Sequence, residues 1–146
     1  MKKLILVVFG VLLSVPSIAL SCSCASTAKS ETEEVQLSLS AASAVFLAKA
    51  ISIEIFPTKL DDDDLESQRV RWQIRKLWKG PYSVGQVVIT ETVTTCCVCG
   101  QRVTKGQEFL LFQYEPEPFS ISNCSLSGEV SKRKKQILLL DKLTGK

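Results

Sequence analysis

The chain contains no histidine among its 146 residues. Imidazole is the usual base behind a serine or cysteine nucleophile, the commonest metal ligand and the ordinary switch near neutral pH, so those chemistries are excluded by composition. An excess of one charge is also missing: 18 basic residues against 15 acidic ones leave +3, which is no footprint for nucleic acid. The carboxylates do not gather in apolar surroundings, where a raised pKa would suit them to acid-base work. No internal repeat and no low-complexity linker occurs. Together these absences argue against an enzyme, and no cofactor is expected.

What is present begins with a leader. Lys2 and Lys3 form a basic start, Leu4 to Leu13 is an apolar run broken only by Gly10, and Ala19-Leu20-Ser21 puts small residues at the two positions a signal peptidase reads. The run is too short for a transmembrane helix. Residues 1–21 are therefore expected to be a signal peptide, and the product to be secreted or held in the periplasm or cell envelope. The alternative is a lipoprotein box ending at Cys22, with Ser21 acceptable before the cysteine and Ala19 where leucine is preferred. Acylation would then consume the amine of Cys22. Residues 22–146 number 125, enough for one domain with a core and not for two. They hold 16 basic and 15 acidic residues, a formal charge of +1.

All six cysteines lie in this mature part, and an exported chain meets an oxidising compartment, so disulfides are expected ahead of a zinc site. Cys22-Ser23-Cys24-Ala25 would open the mature protein. A cysteine tied down by a disulfide while carrying a free α-amine is a fixed group with an available lone pair.

Along the chain, Ser30 followed by Glu33 signals a capped helix over Glu31 to Ala42, with Val35, Leu39 and Ala42 on one side. Ala44 to Ile55 reads as a long first strand. Pro57 and the acidic block Asp61 to Asp64 are expected to stop it and make a solvated loop from Phe56 to Ser67, since the block lacks the glycine and spaced ligands of a calcium loop. Val70, Trp72, Ile74 and Leu77 mark a second strand, with Arg69, Arg71, Arg75 and Lys76 on its other face. Gln86 to Val93, Glu108 to Tyr114 and Phe119 to Cys124 supply a third, fourth and short fifth strand. A basic helix capped by Ser127 or a neighbour closes the chain, with Lys132-Arg133-Lys134-Lys135 on its solvated side. Five strands with short connections and a helix at each end predict a small closed or partly closed antiparallel barrel. Asn123-Cys124-Ser125 fits a glycosylation acceptor only formally and is read as chance.

Cys22-Ser23-Cys24, Ala44-Val45-Phe46-Leu47-Ala48-Lys49, Leu77-Trp78-Lys79-Gly80, Cys99-Gly100, Gly106-Gln107-Glu108-Phe109-Leu110 and Asn123-Cys124-Ser125 follow one another in that order. From Cys22 to Ser125 the chain resembles the netrin-like domain, specifically the N-terminal domain of the tissue inhibitors of metalloproteinases. The resemblance implies an all-β fold with flanking helices, a five-stranded OB barrel stapled by disulfides. It also implies bonds from Cys22 to Cys99 and from Cys24 to Cys124. Cys96 and Cys97 have no counterpart in the family pattern, and from the sequence a Cys22 to Cys97 bond stays open.

By the same resemblance, the α-amine and carbonyl of Cys22 would chelate the catalytic zinc of a target protease. Ser23 would enter its specificity pocket, and Cys24, Ala25 and Val98 would line the contact ridge. A zinc metalloprotease is then the expected partner of a monomeric inhibitor, with a membrane involved only if Cys22 is lipidated. Three other readings stand beside it. The Cys-x-Cys pair could simply staple the terminus of a small barrel. The chain could be a lipid-anchored binding module without inhibitory activity. It could also bind nucleic acid through Trp72, Phe109, Phe112 and the basic strand, a weak reading because those aromatics fall where core residues belong.

Overall fold

A computed structural model of the chain describes Cys22 and residues 24–60, 63–95 and 99–146. Residues 1–21, Ser23, Asp61, Asp62, Cys96, Cys97 and Val98 lie outside the described residues.

Helix α1, Glu31–Ala41, forms where its signals place it. Ser30 Oγ accepts the Glu33 amide at 3.2 Å, and Glu33 Oε2 accepts the Lys29 amide at 2.7 Å, so reciprocal side-chain bonds close the start. Glu31, Glu33 and Glu34 occupy the first turn, where negative charge suits the helix dipole. At the other end Lys79 Nζ donates to the carbonyls of Leu39 at 2.9 Å and Ser40 at 3.0 Å. Those carbonyls lack helical partners, and the same bonds tie the helix to the sheet.

The strands are β1 Ala44–Leu60, β2 Asp63–Lys79, β3 Val87–Val93, β4 Glu108–Gln113 and β5 Gly128–Glu129, in one antiparallel sheet ordered β3-β2-β1-β4-β5. Alternation along β1 and β4 feeds two cores. Ala44, Phe46, Ala48, Phe109 and Leu111 pack on the inner face with Val70, Trp72, Ile74, Val88, Phe119 and Ile121. Val45, Leu110 and Phe112 pack on the outer face beneath the helices with Val35, Trp78 and Leu140. The run of adjacent apolar residues in β4 is thus a strand buried on both sides.

Arg75 is an extra residue in β2, because Leu47 pairs with Lys76 but Ala48 with Ile74. Such a bulge moves the alternation by one. Leu77 therefore joins Ile74 on the inner face, while Trp78 turns to the outer core. The sequence grouping of Leu77 with Trp72 and Ile74 holds for this reason.

Three expectations need correction. The first strand does not stop before Pro57: β1 runs on to Leu60, which pairs with Asp63, so the expected loop over Phe56 to Ser67 is mostly ladder. The β1–β4 ladder ends at Lys49 opposite Glu108, leaving this outer half one neighbouring strand, and proline is tolerated where one side of a strand needs no donor.

The second concerns the fifth strand. Phe119 to Cys124 makes only isolated bridges, Phe119 with Thr90 and Ser122 with Gly100, and β5 is instead Gly128–Glu129 beside β4. The Glu91 amide reaches the Phe119 carbonyl at 3.0 Å, but the Ile121 amide is taken by the Thr92 hydroxyl at 3.0 Å, which interrupts a backbone ladder. The segment follows the free edge of β3, and the sheet is not closed by a continuous ladder.

Third, Ser127 caps no helix. It is buried, and its hydroxyl accepts the Phe112 amide at 2.9 Å. A 3₁₀ turn, Val130–Lys132, precedes α2, Lys134–Thr144, which starts at Arg133 without a side-chain cap and ends at left-handed Gly145. Leu140 anchors α2 in the outer core, and Asp141 Oδ1 accepts from Lys76 Nζ and Trp78 Nε1, each at 2.6 Å.

Candidate functional site

Cys22 and Cys24 are held by two covalent bonds to two neighbouring connections. Cys22 is bonded to Cys99, between β3 and β4, across 77 residues of chain; Cys24 is bonded to Cys124, between β4 and β5, across 100 residues. These are the pairings that the resemblance implies. Cys22, Cys24 and Ala25 are exposed. Disulfides of this kind persist in an oxidising compartment, in keeping with an extracytoplasmic location.

The two connections are braced against each other. The Asn123 amide donates to the Cys99 carbonyl at 2.8 Å, and the Gln101 amide to the Ile121 carbonyl at 3.1 Å. Gln101 Nε2 donates to the carbonyls of Ser122 at 2.9 Å and Ser127 at 2.8 Å. Cys99 takes a left-handed backbone with φ of 57°. Next to it, Gly100 lies so near the end of β3 that a Cβ would stand 1.9 Å from the Val93 carbonyl oxygen. No side chain fits there, so only glycine lets the Cys99 connection seat against the sheet.

A groove of about 560 Å³ runs beside this end, lined by Cys24, Lys29, Glu31, Cys124, Arg133 and Gln136 among others. Its walls belong to the amino segment, the start of α1, the loop at Cys124 and the start of α2. Gln136 Nε2 donates to Glu31 Oε1 at 2.9 Å and links the helices across it. A smaller cleft of about 300 Å³ lies between Gly100 to Arg102 and Gly128 to Arg133.

Ser23 and Val98, read as pocket probe and flanking contact, lie outside the described residues, as do Cys96 and Cys97. Among the described residues, no group of three or more Cys, Asp or Glu side chains could hold a metal ion. Trp72, Phe109 and Phe112 are at most 3% exposed, so none offers a face to a base. Trp72 Nε1 instead donates to Thr90 Oγ1 at 2.8 Å inside the core. Arg69 is held by Glu91 and Glu54, while Arg71 and Arg75 are exposed.

Sequence reasoning missed Gln101 and Arg133 as elements of this site. A lone glutamine in a connection carries no pattern that announces a clamp on two carbonyls, and Arg133 looks like one member of a solvated basic run. Its side chain nevertheless lines both the groove and the cleft. Against known proteins, no family model matches the chain and no curated protein matches it. No helix among the described residues is long and apolar enough to cross a membrane.

Proposed function

We propose that the mature chain is a secreted or envelope netrin-like module that inhibits zinc metalloproteases through the amino end of Cys22. The observation that carries this reading is the pair of disulfides holding Cys22 and Cys24, both exposed, against separate braced connections. The OB-barrel reading draws support from the bridge of Phe119 to Thr90 on the free edge of β3 and from the core that the inner face of the sheet shares with Phe119 and Ile121.

A catalytic zinc keeps one coordination position for water. A rigid amine and carbonyl can take that position, and because the end is already ordered, little conformational entropy is lost on binding. Ser23 would then probe the specificity pocket, flanked by Ala25 and Val98. Only the neutral amine has a lone pair to give, and an ordinary terminal amine titrates at about 7.7 to 8.0, so inhibition should strengthen as pH rises through that range.

The test is one alanine placed ahead of Cys22 in the mature protein. It converts the amine to an amide and displaces the chelating group, and the inhibition constant against a susceptible metalloprotease should rise by about 100-fold or more, the equivalent of ~2.7 kcal/mol. Equal inhibition by the extended and native forms would end the chelation reading. Mass measurement of the native amino end separates this function from that of a lipid-anchored module, because acylated Cys22 has no amine to offer.

A further inference from the structure

We propose that the outer face of α2 is a docking surface for anionic lipid, and that it needs no acyl chain on Cys22. The argument begins with a polarised charge distribution. Residues 129–146 hold six cations and two carboxylates, whereas residues 22–128 hold ten cations and thirteen carboxylates. A nearly neutral mature chain thus carries a strongly positive end.

On α2, Lys134, Lys135, Leu138 and Lys142 recur at helical spacing and share one face. That face is opposite Leu140, which is buried in the outer core, and is flanked by Asp141, whose carboxylate is taken by Lys76. Leu138 is 69% exposed, the most exposed large apolar side chain among the described residues, and lies within a surround of lysines. Lys134, Lys135 and Lys142 are exposed and make no ion pair or hydrogen bond among the described residues. A convex strip with one apolar tip among cations suits the boundary between headgroups and acyl chains, where apolar burial and attraction to anionic lipid add together.

The placement of these lysines is also unfavourable for folding. Positive charge at a helix start opposes the dipole, and α2 has no acid in its first turn and no capping side chain. The contrast with α1, which has both, is what would follow if the run served an anionic partner and not the helix. Arg133 and Gln136, on the other side of the helix from Leu138, line the groove shared with Cys24, so the lysine face is turned away from that groove.

The experiment uses the mature chain from Cys22 with its mass shown free of acyl groups. It is mixed with phosphatidylcholine vesicles with and without about one third phosphatidylglycerol, and bound protein is measured by sedimentation. Binding should require the anionic lipid and weaken with salt. The double variant Lys134→Glu with Lys135→Glu should bind at least about 25-fold more weakly, since each basic residue near such a surface strengthens adsorption by about fivefold and two are lost. Its thermal midpoint should be unchanged or higher, because acids suit a helix start. Leu138→Ala should weaken binding several-fold with the fold intact.

Equal vesicle binding by wild type and double variant would overturn the proposal, as would failure of wild type to bind anionic vesicles. Retention of a soluble acidic peptide such as tetraglutamate with no vesicle binding would assign the face to a protein partner and overturn it too. None of these readings depends on protease inhibition, so the two proposals fail separately.

Discussion

At the scale of single residues, Asp141 joins α2 to β2. Lys76 beside it, with help from the Trp78 indole, holds its carboxyl below the usual carboxylate range despite the opposing effect of burial. A carboxylate whose folded pKa is lowered contributes stability above its ordinary value and loses that contribution as pH falls through the lowered value. Asp141→Asn should therefore cost about 1 kcal/mol at neutral pH. The difference from wild type should shrink in acid, as read by denaturant melts at pH 7 and pH 3. Gly100 shows the limit of residue-level reading. Its place after a cysteine was legible, but its contact with the Val93 carbonyl depends on its connection lying against the end of β3, seven residues earlier in the chain.

At the scale of elements, local signals worked where the chain makes its own rules. The Ser30 to Glu33 cap located α1, and alternation located β3 and β4 within a residue and the inner half of β2. They failed where a neighbour decides. Pro57 reads as a stop because a paired strand would lose a donor, yet the outer half of β1 has only β2 beside it. Phe119 to Cys124 looks like a strand from its composition, yet a threonine hydroxyl takes one of its amides. The outer hairpin should accordingly be the loosest part of the sheet. Amides of Ile55, Phe56, Thr58, Lys59 and residues 64–66 should exchange with solvent faster than those of residues 45–49, which have partners on both sides. Hydrogen exchange at neutral pH measures this directly, and equal protection would show the hairpin to be covered by something else.

At the scale of the whole molecule, the disulfides fix Cys22 and Cys24 to connections 77 and 100 residues away. Long closed loops lose much entropy in the unfolded chain, about 4 to 5 kcal/mol for each bond in the chain-entropy model, of which 2 to 4 is the usual yield. Replacing Cys24 and Cys124 together by serine should lower the stability of the mature protein by about 2 to 4 kcal/mol, measured by denaturant unfolding. The same variant should still form the Cys22 to Cys99 bond, which a disulfide map checks. By itself the sequence determined the absence of imidazole chemistry, the capped first helix, the alternating strands and the charge imbalance between the two ends, because each follows from composition or from spacing along a single element. Only the tertiary structure decided where β1 ends, which segment follows the edge of β3, and how Gly100, Gln101 and Arg133 surround the amino end. Those outcomes depend on which backbone donors, acceptors and volumes meet across long stretches of chain, and no local pattern encodes that meeting.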